Sequence, residues 1–87
     1  MARVHIPSLM RDLTRGQQWI DVPGRTVGQV IDALDRMHPG IRERLCRGNR
    51  LNPVVQVSVD GRIAVRGLSE SVEEGSEVLF LPAVAGG

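Results

Sequence analysis

The chain opens and closes on strand-like patterns, with one helical pattern between them. In "RVHIP", Val4 and Ile6 alternate with Arg3 and His5, the period of a strand with one buried face. "SLMRDLTRG" reads as a connector ending at Gly16. "QQWIDV" then places Ile20 and Val22 on one face and Trp19 and Asp21 on the other. Two adjacent strands joined by a loop predict an N-terminal hairpin.

"PGRTVGQVIDALDRMHPG" predicts an amphipathic helix with both ends marked. Val27, Val30, Ile31, Leu34 and Met37 fall on a single stripe at helical spacing. Thr26 with Gln29 three residues on is a capping-box pattern, in which the two side chains satisfy free backbone N–H groups at the helix start. Asp32 and Arg36, one turn apart, are placed to pair on the outer side. Pro39-Gly40 ends the helix, "IRERL" adds one further turn, and "CRGNRLNP" is expected to be an arginine-rich loop.

Strand periodicity returns in "VVQVSVDGRIAV". Val55, Val57 and Val59 share a face, Asp60-Gly61 is a favoured two-residue hairpin turn, and Ile63 to Val65 is the expected returning strand. Leu68 and Val72 lie in a turn-rich connector and are expected to tuck into the core. The last strand, "EVLFLP", shows no polar alternation from Val78 to Leu81, so both of its faces are apolar. A central strand explains that run, because central strands are covered on both sides. With Val78 and Phe80 turned toward the helix, Leu79 and Leu81 face outward. The order strand, strand, helix, strand, strand, strand is satisfied by a mixed sheet packed on one main helix, with first and last strands parallel at its centre. This is the α+β, ubiquitin-like β-grasp arrangement. It assigns residues 1–82 to one domain and 83–87 to a flexible C-terminal tail.

Composition narrows the function more than the fold. Of 87 residues, 41% are hydrophobic and 24% charged, an ordinary globular balance, and a net charge of +1 gives no global field to attract nucleic acid or an anionic membrane. The start "MARVHIPSLM" lacks a signal peptide's apolar centre, so cytoplasmic residence is expected. Every basic side chain of the lysine–arginine class is Arg, which removes side-chain amines from consideration for acylation or Schiff-base chemistry. Cys46 is the single cysteine, so neither an intrachain disulfide nor a cysteine cluster for zinc can form.

The candidate catalytic groups do not assemble into a motif. His5 and His38 have no local Ser or Cys partner. Cys46 sits among arginines that could activate its thiol, although a packed cysteine at a helix end is the simpler reading. Asp32 with Asp35, and Glu73 with Glu74, read as solvated helix and turn charges. Arg42, Arg44, Arg47 and Arg50 could bind phosphates, yet two aromatics, Trp19 and Phe80, offer no evident stacking platform for bases. Glu70, Glu73, Glu74 and Glu77 make the surface dipolar, which suits docking on proteins. The chain is therefore not expected to be an enzyme by itself, nor to bind nucleic acid or membrane.

The tail "AVAGG" is what remains. Five residues beyond Pro82 extend about 16 Å at ~3.3 Å each, enough to thread into another protein's active site. Two glycines without Cβ atoms pass a narrow channel.

"VSVDG", "EEGSEVLFLP" and "AVAGG" together resemble the MoaD/ThiS family of ubiquitin-like sulfur carriers. "IPSLMRDLTRGQ", "TVGQVIDAL", "GIRERL" and "LPAVAGG" are most similar to its CysO type. The chain departs from the MoaD pattern, which more often has a Pro-Pro pair where Leu81-Pro82 stands here. The resemblance implies that a MoeB/ThiF-like enzyme uses ATP to adenylate the Gly87 carboxyl. A sulfur donor then displaces AMP and leaves a thiocarboxylate. It further implies that Pro82, Ala83, Val84, Ala85 and Gly86 contact partners and that no cofactor is permanently bound, while the outward Leu79 and Leu81 beside them are expected from strand alternation to form an apolar partner-binding patch. For the CysO type the implied recipient is an aminoacrylate on a pyridoxal-phosphate-dependent cysteine synthase, followed by a zinc metalloprotease that releases cysteine. A molybdopterin synthase small subunit and a carrier for thiosugars are alternatives within the family. A ubiquitin-like interaction module and a small RNA-binding domain are alternatives outside it.

Overall fold

A computed structural model describes residues 1–82. The elements are β1 (Ala2–His5), β2 (Trp19–Val22), α1 (Val27–Met37), α2 (Ile41–Leu45), β3 (Cys46–Arg47), β4 (Arg50–Leu51), β5 (Val55–Val59), β6 (Arg62–Ile63) and β7 (Glu77–Pro82). Short 3₁₀ turns at Ser8–Met10 and Gly67–Ser69 complete them. The main sheet has the order β2-β1-β7-β5-β6. β1 and β7 run parallel at its centre, and every other pairing in it is antiparallel. This is the mixed, five-stranded β-grasp sheet over one main helix that the apolar pattern requires.

One face of the sheet and the helix stripe close a single core. Val4, Ile20, Val22, Val57, Val59, Val78 and Phe80 from the sheet, with Ile6 just past β1, meet Val27, Val30, Ile31 and Leu34 from α1. Val72 is buried and Leu68 packs against the same cluster from the connector before β7. Met37, read as the last member of the helix stripe, is exposed, and Ala33 is buried in the cluster instead. α1 ends at Met37, so that residue lies past the part of the helix that the sheet covers.

The helix start is held as a shifted capping box. Thr26 Oγ1 accepts from the Gln29 N–H at 3.2 Å, but the Gln29 side chain reaches the Arg25 N–H at 2.8 Å, one residue beyond the usual return partner. Asp32 does not pair with Arg36. Arg42 of α2 takes it at 2.6 Å, because α2 folds back against that side of α1. Asp35, expected to be merely solvated, accepts from the N–H groups of Gly40 and Arg42, both at 3.1 Å, and so fixes the α1–α2 corner.

Two segments differ from the sequence expectation. The arginine-rich loop is a small hairpin, β3 against β4, in which Cys46 faces Leu51 and Arg47 faces Arg50. Burial of Cys46 and the packing of Leu51 on the core supply the apolar anchor that makes these few residues regular. The strand returning after Asp60-Gly61 is Arg62–Ile63, one residue earlier and shorter than read. Both turn residues have positive φ, 51° and 83°, as a two-residue turn of the I′ kind demands, and the pairing Val59–Arg62 follows at once. Ile63 and Val65 are exposed there, so no apolar demand extends this edge strand.

Candidate functional site

β7 leads the chain to its tail, and the two neighbours of β7 end at different heights. β1 pairs with it at Glu77, Val78 and Leu79, whereas β5 continues along it to Leu81 and Pro82. Leu79 is therefore flanked on both sides, by His5 and by Ser58, and is half-buried. Leu81 lies beyond the last β1 pair, has only Gln56 beside it, and is 37% exposed. Val78 and Phe80 are buried on the opposite face. The two outward leucines are thus unequal: β1 and β5 cover much of Leu79, and Leu81 carries the apolar exposure at the sheet end.

Leu81 borders a groove of about 460 Å³ that also receives Phe80, Val54, Val55, Met10 and Pro7. Ser8, Arg44 and Asn52 supply its polar groups. Its walls are loops fixed by specific hydrogen bonds. Arg11 Nε donates to the Ile6 carbonyl at 3.1 Å, and the buried Thr14 hydroxyl donates to Gln17 O at 2.9 Å, which together hold the β1–β2 connector. On the other side the Val54 N–H donates to Asn52 Oδ1 at 3.2 Å, leaving the Val54 side chain exposed. Arg44 forks onto both oxygens of Asp12, at 3.3 and 3.2 Å, and ties α2 to the connector across the groove's edge. An apolar groove with a few placed polar groups is the usual form of a recognition site.

Sequence reading named Leu79 and Leu81 but missed Met10, Val54 and the groove itself. Met10 and Val54 belong to no periodic segment, and only the tertiary fold brings their two loops to the end of β7. Pro82 closes β7 opposite Val55. Ala83, Val84, Ala85, Gly86 and Gly87, the remaining site residues read from sequence, lie outside the described residues.

The other candidates stay apart. Cys46 is only 6% exposed, and burial pushes its thiol above the ordinary range, outweighing the opposing pull of Arg42. The activated-thiol reading therefore gives way to a packed cysteine. His38 closes α1 through its backbone N–H on Leu34 O. His5 stands edge-on to Trp19 with ring centroids 4.9 Å apart, Arg3 lies over the same indole at 4.7 Å, and Arg11 Nη2 is 3.5 Å from His5 Nε2. This row on the outer sheet face is a feature that residue-by-residue reading did not join up, although outward alternation on β1 and β2 carried the signal. Among the described residues, no group of three or more His, Cys, Asp or Glu side chains is placed to hold a metal ion. No helix there is long and apolar enough to cross a membrane.

Comparison with known proteins matches residues 4–87 to the ThiS family. The sulfur carrier protein CysO of Mycobacterium tuberculosis is 38% identical over 90 residues, spanning 97% of this chain and 96% of that protein. Among solved structures, a chain of the BexX/CysO complex of Amycolatopsis orientalis superposes with a TM-score of 0.92 at 34% identity, with both chains covered completely. The crystal structure of M. tuberculosis CysO gives 0.89, also at 34% identity, covering 97% of this chain and all of that one.

Proposed function

The chain belongs to the ThiS family of ubiquitin-like sulfur carriers, and from that premise we propose that its Gly87 carboxyl is the group that carries sulfur. The carrying observation is that the family match runs through residue 87 and so includes the Gly86-Gly87 pair that follows β7. A carboxylate is a poor acyl donor, because its charge is delocalised and oxide is a poor leaving group. Attack of the Gly87 carboxylate on the α-phosphorus of ATP, with loss of pyrophosphate, gives an acyl adenylate. A sulfide-level nucleophile then adds to the acyl carbon and AMP leaves, forming the thiocarboxylate. Both steps belong to a MoeB/ThiF-like adenylating enzyme; this chain supplies the carboxyl and the surface that presents it.

The tail's composition fits that role. A charged or bulky flank would have to be desolvated as the carboxyl entered a partner's site, and "AVAGG" carries neither. Leu81 and the groove, at the end of β7, supply the docking surface. Cysteine formation is the proposed use, with a pyridoxal-phosphate-dependent cysteine synthase as recipient and a zinc metalloprotease releasing the product. Similarity to CysO over nearly the whole chain supports it. The solved assembly of a similar chain with BexX supports a carrier that works by docking on another protein.

The test is ATP–pyrophosphate exchange by a CysO-type adenylating enzyme in the presence of this chain. Exchange is expected with the full chain and absent when Gly87 is deleted. Exchange that persists without Gly87 would place the acyl group elsewhere.

A further inference from the structure

The two faces of the β3–β4 hairpin are set by its register. Cys46 and Leu51 form one cross-strand pair and turn to the core, so Arg47 and Arg50, the next pair, turn to solvent directly opposite each other. Like charges in that position repel. Arg42 and Arg44 on the adjoining helix have carboxylate partners, Asp32 and Asp12, whereas neither Arg47 nor Arg50 has an ion pair among the described residues. Arg42 Nη2 also donates to Gly48 O at 3.4 Å, and the Asn52 N–H to Leu45 O at 2.8 Å, so the hairpin is held in place from both of its ends. Two guanidinium groups are thereby presented side by side with their charge uncompensated.

The base of the hairpin borders the groove, with Arg47 and Arg50 beyond its lining. Arg44 and Asn52, which flank it in sequence, both line the groove that Leu81, Val54 and Met10 make apolar. Charge is also divided along β7: Glu77 marks its start, with Glu73 and Glu74 just before it, while the groove lies at its end.

We infer that this groove and the Arg47–Arg50 pair together receive a segment of the adenylating enzyme in which apolar side chains adjoin acidic ones. The inference rests on the carrier reading above and names the partner chemistry at the same site. The apolar part of the segment fills the groove, and its carboxylates take the opposed guanidinium groups, a pairing that Arg geometry favours. Nucleic acid is the poorer match, because Phe80 is buried and Trp19 is already covered by Arg3.

The test compares the full chain with Arg47→Glu/Arg50→Glu, with Val54→Asp, and with Glu73→Arg as a control on the opposite end, each checked for an unchanged thermal transition. Isothermal titration into a CysO-type adenylating enzyme should show about tenfold weaker binding for the first two and none for the control. The wild-type affinity should also fall more steeply with added salt than that of the double variant. In turnover, KM for the carrier should rise with kcat kept. Equal affinity in all four proteins overturns the inference, whether or not turnover is seen. Loss of turnover in the wild type with binding intact counts against the carrier chemistry alone. A fluorescent single-stranded RNA bound more tightly than the enzyme, and lost in the double variant, would replace the acidic segment by nucleic acid.

Discussion

Ser76 donates its hydroxyl to Asp60 at 2.8 Å, and the next N–H, that of Glu77, donates to the other oxygen of the same carboxylate at 2.9 Å. One side chain thus ties the β5–β6 turn to the first residue of β7 and fixes the register that brings Leu81 to the sheet end. The Glu77 N–H first, and then the Ser76 hydroxyl, hold the Asp60 carboxyl below the ordinary carboxylate range. Both bonds favour the ionised form, so their stabilisation is full above the unfolded carboxylate value and is lost as pH falls through the lower, folded one. Asp60→Asn removes that dependence while keeping a residue that tolerates the positive φ. Urea denaturation across the acid range should show the two proteins converging as pH falls. A constant gap between them would contradict the assignment.

Phe80 and Val57 face each other across β7 and β5, and both are buried. Phe80→Ala should cost about 3–5 kcal/mol, a large part of the ~5–15 kcal/mol that holds a domain together. Denaturant midpoints measure this directly. A loss below about 1 kcal/mol would mean that β7 is not the central strand.

Leu79 and Leu81 should separate in mutation. Leu79→Asp introduces a charge between His5 and Ser58 and is expected to destabilise the fold by roughly 1–3 kcal/mol. Leu81→Asp, with β1 absent beside it, should stay within about 0.5 kcal/mol of wild type yet weaken binding to the adenylating enzyme. Thermal melts and a titration on the same samples test both; equal melting points for the two variants would erase the distinction.

That distinction shows where sequence reading stops. The apolar run from Val78 to Leu81 made β7 central and sent Val78 and Phe80 inward, because strand alternation is local and obligatory. It could not say that the β1 pairing ends at Leu79 and the β5 pairing three residues later, at Pro82, which depends on how far each neighbour extends. The β3–β4 hairpin was hidden for a similar reason. Two-residue strands show no periodicity, and their regularity comes from Cys46 and Leu51 reaching a core that the local sequence does not contain. Asp32 was readable as a helix charge, but its partner Arg42 arrives only after the α1–α2 corner has formed. The groove is the extreme case, since Met10 and Val54 meet through tertiary structure alone.

Cys46 should behave as a packing residue. Because burial holds its thiol in the protonated form, alkylation by iodoacetamide should be slow in the folded protein and fast in urea. Cys46→Ala should cost about 1 kcal/mol and leave adenylation unaltered. Rapid labelling of the native protein would show an accessible thiolate instead.

The central claim is that sulfur travels on the Gly87 carboxyl. With adenylating enzyme, ATP and a sulfide source, the intact chain should gain the mass difference between one sulfur and one oxygen. Fragmentation should assign that difference to Gly87, and Cys46→Ser should acquire it equally. Added sulfur that maps to Cys46 as a persulfide, and survives deletion of Gly87, would contradict the account.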